Sequence, residues 1–302
     1  MRSIHDVLRQ DAGLLGNALA LEANEARPEV QMLLQRVLGV GRAYLFAHSE
    51  RVLGDAEETA YQALLQRRLA GEPIAYILGE REFFGLNLVV TPATLIPRPD
   101  TELLVELALE RLPVASPPPF PLAGEGLGGE GIFRVLDMGT GSGAIALAIA
   151  QQHPDAEVWA CDASAAALQV ARGNAERHNI SSVHFIESDW FSALDGRRFD
   201  IIVSNPPYIA AADHHLAQGD VRFEPLSALA SGTDGLDDIR RIAAQARAHL
   251  EKNGWLLLEH GYDQAARVRE LLQRNGFADV FSARDLSGIE RCSGGRVADA
   301  GI

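Results

Sequence analysis

The stretch Phe133–Ala150 constrains the fold most. Phe133-Arg134-Val135-Leu136-Asp137 is a short apolar run that opens directly into Met138-Gly139-Thr140-Gly141-Ser142-Gly143, and Ala144–Ala150 is again small and apolar. That order reads as strand, tight turn and helix, the nucleotide-site arrangement of doubly wound α/β folds. Glycines let a backbone approach a ligand closely, and a helix N-terminus offers free N–H groups. The spacing is not Gly-x-Gly-x-x-Gly, and a P-loop lysine is absent, since the one Lys of the chain is Lys252. Glycines recur here at every second position, behind an acidic strand end. Asp137 would spoil an anion hole for pyrophosphate but suits a ligand that carries positive charge.

Further runs repeat the pattern. Glu157-Val158-Trp159-Ala160-Cys161 ends at Asp162, where an acidic residue about 20 positions on can accept both hydroxyls of a ribose. The same Asp162 could instead cap a helix over Ser164–Ala171. Val183–Ile186 leads to Ser188-Asp189-Trp190-Phe191. Asp189 could accept from the amino group of an adenine and Trp190 cover its face, or Trp190 could be ordinary core.

The run Asp200-Ile201-Ile202-Val203-Ser204 is β-branched and ends at Asn205-Pro206-Pro207-Tyr208. Consecutive prolines cannot continue a strand or enter a helix interior, and each holds its predecessor extended. The Asn205 side-chain oxygen, the Pro206 carbonyl and the Tyr208 ring therefore converge at a strand end, with Pro207 fixing the kink. Such a group can grip a planar amino or amide group. It could also be a proline-rich turn with a packing Tyr.

Taken together, Phe133–Gly143, Asp162, Asp189-Trp190 and Asn205–Tyr208 resemble the class I S-adenosylmethionine (SAM) methyltransferases of the Asn-Pro-Pro-Tyr type. Three more segments narrow this: Gly71-Glu72-Pro73-Ile74-Ala75-Tyr76, Thr91–Glu102 with its Leu95-Ile96-Pro97-Arg98-Pro99-Asp100, and Gln218–Leu226. With them the chain resembles the peptide chain release factor glutamine methyltransferases over nearly its whole length. The resemblance implies an α/β fold, a class I, Rossmann-like methyltransferase sheet with helices on both faces and an antiparallel final strand. A small N-terminal helical bundle and a β-hairpin linker would precede it.

The resemblance also implies SAM as cofactor, S-adenosyl-L-homocysteine as its product, and the glutamine of the Gly-Gly-Gln loop of class I release factors as acceptor. The cofactor residues would be Gly139, Thr140, Gly141, Ser142, Gly143, Asp162, Asp189, Trp190 and Asn205. The catalytic residues would be Asn205, Pro206 and Tyr208, and Asn205–Tyr208 would bind substrate. Other acceptors of the same grip are a glutamine of a ribosomal protein and an adenine amino group of nucleic acid. A SAM-binding module without catalysis is a third alternative.

A domain division follows: residues 1–75 helical and partner-docking, 76–95 a hairpin linker, and 96–302 the methyltransferase domain. Within 1–75, Glu29–Leu38 carries apolar residues at helical spacing, with Pro28 placed for a helix start and Gly39 for its end. Asp55-Ala56-Glu57-Glu58 resembles a capping box, opening a helix with Tyr61, Leu64, Leu65 and Leu69 on one face. Phe83–Val90 alternates with period two, hence strand. Asp100 is placed to cap a helix bearing Leu103, Leu104 and Leu107. Arg98, between two prolines, either lines the substrate pocket or pairs with a carboxylate. Val114–Ile132, rich in Pro and Gly, departs from the family pattern and reads as a disordered insertion. The tail after Arg296 is also atypical.

The net charge of −14 disfavours a phosphate backbone as partner. The chain is expected to bind no nucleic acid directly. Cys161 and Cys292 have neither metal nor redox spacing, and Asp213-His214-His215 is too local to chelate, so no metal is expected. With no signal peptide or membrane-length apolar stretch, the expectation is a cytoplasmic monomer.

Overall fold

Strands buried on both faces need apolar side chains at almost every position, and the runs that have them form the centre of one sheet. The structure is a computed structural model that describes residues 2–112 and 132–298. The insertion 114–132, apart from Ile132, and the end of the tail lie outside the described residues.

The chain divides into two compact units, residues 1–80 with 217–223 and residues 81–216 with 224–302. The first unit holds helices α1 (Ile4–Leu19), α2 (Ala23–Leu38), α3 (Arg42–Ala47), α4 (Asp55–Leu69) and α5 (Ile74–Leu78). Its core gathers Ile4, Val7, Leu15, Val30, Leu33, Leu34, Tyr61 and Leu65. Arg68 is 3% exposed and binds Glu29 at 2.7 Å and Asp220 at 2.9 Å, so segment 217–223 is tied to α2 and α4 through one guanidinium.

Two helix starts differ from expectation. Pro28 lies inside α2, because Glu22 and Glu25 start the helix five residues earlier, the Glu22 N–H donating to Glu25 Oε2 at 2.9 Å. Gly39 closes α2 in the left-handed region, as expected. Gly54, not Asp55, is the N-cap of α4, and Glu57 reaches back to its N–H at 2.9 Å.

From the last residue of the first unit onward, β1 (Glu80–Phe83) and β2 (Leu86–Val89) form a hairpin. The alternation of Phe83–Val90 is broken by the turn at Phe84-Gly85, so Phe83, Leu86, Leu88 and Val90 share the buried side. Helix α6 (Glu102–Leu109) follows a 3₁₀ turn, Pro99–Thr101, with Thr101 as its N-cap residue. Asp100 therefore does not cap it: the proline-led turn moves the start on by a residue, and Asp100 lies 3.6 Å from Arg291 instead.

Then come β3 (Arg134–Met138), α7 (Ala144–Gln152), β4 (Glu157–Asp162), α8 (Ala165–Arg177), β5 (Val183–Glu187), β6 (Phe199–Ser204), α9 (Asp237–Ala246), β7 (Leu250–Glu259), α10 (Ala265–Arg274), β8 (Ala278–Arg284) and β9 (Glu290–Arg296). The sheet order is β5-β4-β3-β6-β7-β9-β8. The strands from β5 to β7 are parallel, and β9 runs antiparallel to both neighbours.

Side chains alternate between the faces as a strand requires. Val135, Ile201, Val203 and Leu257 pack with α6, α7 and the hairpin. Leu136, Met138, Ile202, Leu256 and Leu258 pack with α9 and α10. The sheet is thus covered on both sides, and the carboxyl ends of β3, β4, β6 and β7 meet at one edge. Among the described residues no helix is long and apolar enough to cross a membrane.

Candidate active site

The glycine turn sits at the carboxyl end of β3 and is pinned to β4. Gly139 and Thr140 both donate to the Cys161 carbonyl, at 2.8 and 2.9 Å. Gly143 is the N-cap of α7 with φ 85°, a conformation that favours glycine, and a Cβ there would crowd Leu147 of α7 at 3.1 Å and Ala171 of α8 at 3.2 Å. The fully buried Asn174 donates to the carbonyls of Ser142 at 2.9 Å and Val89 at 3.0 Å, fastening turn and hairpin together.

Asp137 is fully buried beneath this turn. Its Oδ2 accepts from the Thr140 hydroxyl at 2.6 Å and from Ala146 N–H at 3.1 Å, while its Oδ1 has no partner. Burial pushes its carboxyl up to about 7, against the pull of those two bonds. Asp162, at the end of β4, accepts from Gly141 N–H at 2.9 Å and Ser164 N–H at 2.8 Å. The cap of α8 is Ser164, whose hydroxyl accepts from Ala167 N–H. Asp162 thus braces both the turn and that cap.

Asp189 and Trp190 are both held from α9, by different residues. Asp189 is exposed, and both its oxygens are held by Arg241, at 3.0 and 2.8 Å. Trp190 takes a positive φ of 52°, its indole N–H donates to Asp238 at 3.2 Å, and its ring lies against Gly139. Asp238 in turn accepts from the Ser231 hydroxyl at 2.7 Å. The indole is therefore aimed by α9.

Asn205–Tyr208 leaves β6 beside the glycine turn, where the Ser204 hydroxyl donates to the Met138 carbonyl at 2.7 Å. Asn205 Nδ2 donates to Thr101 Oγ1 at 3.1 Å. Its Oδ1, like the Pro206 carbonyl, makes no hydrogen bond among the described residues. The Tyr208 hydroxyl donates to Glu259 Oε1 at 3.2 Å. Burial and that carboxylate hold the Tyr208 phenol well above its ordinary value, so it stays protonated and remains a donor. The Tyr208 carbonyl accepts from Gln264 Nε2 at 2.9 Å.

Glu259 ends β7 opposite the motif and is 2% exposed. The adjacent His260 is buried too. Its Nδ1 donates to the Gly261 carbonyl at 2.9 Å and its Nε2 accepts from Ser293 at 2.8 Å, and burial lowers its pKa. Neither nitrogen is open to act as a base.

Arg98 forms an ion pair with the buried Glu224, whose other oxygen accepts Ile96 N–H at 2.9 Å. Asp213, His214 and His215 place ligand atoms within 4.8 Å of one another on the surface. Sequence reasoning missed Thr101, Asn174, Asp238, Arg241, Glu259 and Gln264, because their partners lie far away along the chain. For Glu259 a signal existed: an acidic residue ending the apolar run Trp255–Leu258.

Residues 129–221 match the family described as Methyltransferase small domain, and residues 17–79 match the PrmC N-terminal domain. The chain is 50% identical over 270 residues to a release factor glutamine methyltransferase of Xylella fastidiosa, covering 89% of this chain and 93% of that one. For the protein of the same name in Burkholderia pseudomallei the identity is 51%, covering 95% and 96%. For that of Escherichia coli it is 48%, covering 91% and 94%. Among solved structures, a methyltransferase from Pyrococcus furiosus superposes with a TM-score of 0.51 at 20% identity, covering 78% of this chain and 98% of that one. The hMettl16 catalytic domain, solved with an RNA hairpin, does so at 0.55 and 17%, covering 79% and 84%. These two likenesses show the fold, a class I methyltransferase sheet, and the identity to the curated relatives over nearly their full length shows that the chain belongs to the release factor glutamine methyltransferase family.

Proposed function

We propose that the chain methylates the side-chain amide nitrogen of a glutamine in a peptide chain release factor, at the Gly-Gly-Gln loop of the class I factors, using SAM. The observation that carries this reading is the pair of acceptors at the kink. Asn205 is anchored through Nδ2, and its Oδ1 and the Pro206 carbonyl are both left without internal partners. A primary amide presents two N–H donors, one for each.

The residues fit SAM. Asp137 Oδ1 is a buried carboxylate oxygen without a partner beneath the glycine turn, which suits a ligand bearing an ammonium and a sulfonium. Asp162 accepts one N–H on each oxygen and keeps lone pairs for ribose hydroxyls. Gly139–Gly143 would lie along the ligand. Trp190, aimed by Asp238, would cover the adenine. Asp189 could serve its amino group only alongside Arg241 or by leaving it. When bound, SAM supplies an electrophilic methyl group.

The chain does the rest by geometry. An amide nitrogen is a poor nucleophile because its lone pair is delocalised into the carbonyl. Two acceptors on its N–H groups favour a pyramidal nitrogen and stabilise the positive charge that develops there. Orientation of two bound reactants can contribute about 7–11 kcal/mol, so no general base is required. After transfer the nitrogen is strongly acidic and gives its proton to water. Tyr208 stacks on the flat amide, and the N-terminal helices dock the protein substrate.

The test is incubation of the chain with SAM and a purified class I release factor, followed by mass spectrometry. One added methyl on the glutamine of the Gly-Gly-Gln loop is expected. Methylation only of a ribosomal protein, or only of adenine, would redirect the reading to that acceptor.

A further inference from the structure

Gln264, whose amide holds the Tyr208 carbonyl, is itself held by Gly261. Its Oε1 accepts Gly261 N–H at 2.8 Å, and its backbone N–H donates to the Gly261 carbonyl at 3.0 Å. With Oε1 taken, Nε2 is the end that faces Tyr208, and it donates to that carbonyl at 2.9 Å. A carboxamide turned end for end would set two oxygens against each other there. The place of Gly261 therefore decides where Tyr208 sits.

A line of hydrogen bonds reaches Gly261 from across the sheet edge. Arg269 on α10 donates to Ser282 Oγ on β8 at 2.6 Å, and Ser282 Oγ lies 2.7 Å from Ser293 Oγ on β9. Ser293 Oγ lies 2.8 Å from His260 Nε2, and His260 Nδ1 lies 2.9 Å from the Gly261 carbonyl. Ser293 and His260 are fully buried.

Both ends set the direction of this line. A guanidinium only donates, so Ser282 accepts from Arg269 and turns its own proton to Ser293, which turns its proton to Nε2. A carbonyl only accepts, so the ring proton sits on Nδ1. On Nε2 it would leave a bare ring nitrogen facing an oxygen at 2.9 Å. Burial lowers the His260 pKa and keeps the ring neutral, with one donor and one acceptor nitrogen.

We propose that His260 is a positioning residue for the transfer: its Nδ1–H, oriented by Arg269, Ser282 and Ser293, anchors the Gly261 carbonyl, and Gly261 sets Gln264 and through it Tyr208 against the acceptor amide. The imidazole touches no substrate and moves no proton.

The inference rests on the proposed amide transfer, and the experiment separates the two. Methyl transfer to a purified class I release factor is measured at pH 8 for the wild-type chain, His260→Asn, His260→Gln, Ser293→Ala, Gln264→Met and the His260→Gln/Gln264→Met double variant. SAM affinity is read by calorimetry, folding by thermal melting, and the imidazole tautomer of the wild-type chain by nitrogen NMR. An Asn amide nitrogen stands as many bonds from Cβ as Nδ1 does, and a Gln amide nitrogen as many as Nε2. If the ring only filled space, the larger Gln would be the better substitute; as an anchor for Gly261, Asn is.

The expected tautomer is Nδ1–H. Because a shift of about 1 Å can cost about 100-fold, kcat should fall at least about tenfold in His260→Gln and stay within about threefold of wild type in His260→Asn. SAM affinity and KM for the release factor should be unchanged in both. Gln264→Met should lose kcat as well, and the double variant should lose no more than Gln264→Met alone. A wild-type kcat in His260→Gln or Gln264→Met, a loss in His260→Asn as large as in the Gln variant, an Nε2–H tautomer, or losses that multiply in the double variant would each overturn the inference alone. Should the His260 variants fail to fold, Ser293→Ala decides, since it removes only the donor to Nε2: a fall in kcat with SAM affinity intact supports the inference, and an unchanged kcat overturns it. A wild-type chain that transfers no methyl would overturn the functional reading and this inference with it.

Discussion

Gln264 donates from Nε2 to the Tyr208 carbonyl at 2.9 Å while its Oε1 accepts Gly261 N–H at 2.8 Å. One buried carboxamide thus clamps the Asn-Pro-Pro-Tyr kink to the chain that leaves β7. Gly235 closes the third side with φ 76°, and a Cβ there would run into the Tyr208 carbonyl and stand 2.7 Å from Gln264 Nε2. Gly235→Ala is therefore expected to cost more than about 1 kcal/mol of stability and to lower turnover by displacing Tyr208. Thermal unfolding and single-turnover assays check this, and a variant with the wild-type melting temperature and rate would show the contact to be slack.

Asn205→Ala removes the side-chain acceptor and leaves the glycine turn untouched. Transfer should drop by at least about 100-fold, with SAM affinity by calorimetry nearly unchanged. Normal turnover would take Asn205 out of the reaction.

Asp162→Ala should act on the other reactant. Both Asp162 oxygens already brace backbone N–H groups of the turn and of the α8 cap, so the loss combines a ribose acceptor with a looser turn. Bonds to a charged group contribute about 1.5–3 kcal/mol each, and SAM should bind at least tenfold more weakly. If only turnover fell, with affinity intact, the ribose assignment would be wrong.

Asp137 links the site to pH. Its carboxyl is raised from 3.8 to about 7, and that of Glu259 from 4.5 to about 7, both by burial. Between those limits the folded chain holds protons that the unfolded chain has released. Stability therefore falls as pH rises through that window and levels off above it. Asp137→Asn should flatten part of this slope and gain about 1–3 kcal/mol at pH 8 in the ligand-free chain. Urea unfolding at pH 5 and pH 8 reads both effects, and equal slopes in the two chains would contradict them.

Much of this site was legible because its residues speak through local chemistry. The runs at 133–137 and 200–204 are apolar on both faces, which only interior parallel strands need, and the paired prolines forced the kink at Asn205. What stayed hidden depends on distant partners. Glu259 meets Tyr208 across 51 positions, and Asn205 meets Thr101 across 104. A single polar residue at a strand end does not announce either. Asp189 beside Trp190 suggested one binding pair, but their partners Arg241 and Asp238, on a distant helix, could not be read from the local sequence. Pro28 and Asp100 misled because the terminus rules describe preferences, which Glu22 with Glu25 and the turn at Pro99 override.

The heptapeptide 217–223 packs with residues 1–80 although nearly 140 positions of chain intervene. Arg68 stays short of one anionic neighbour until Asp220 arrives. During synthesis the amino-terminal bundle therefore meets Asp220, the second carboxylate on Arg68, only after most of the sheet has been made. A fragment cut after position 80 would keep Glu29 on Arg68 and carry a guanidinium whose second counterion lies in the discarded part.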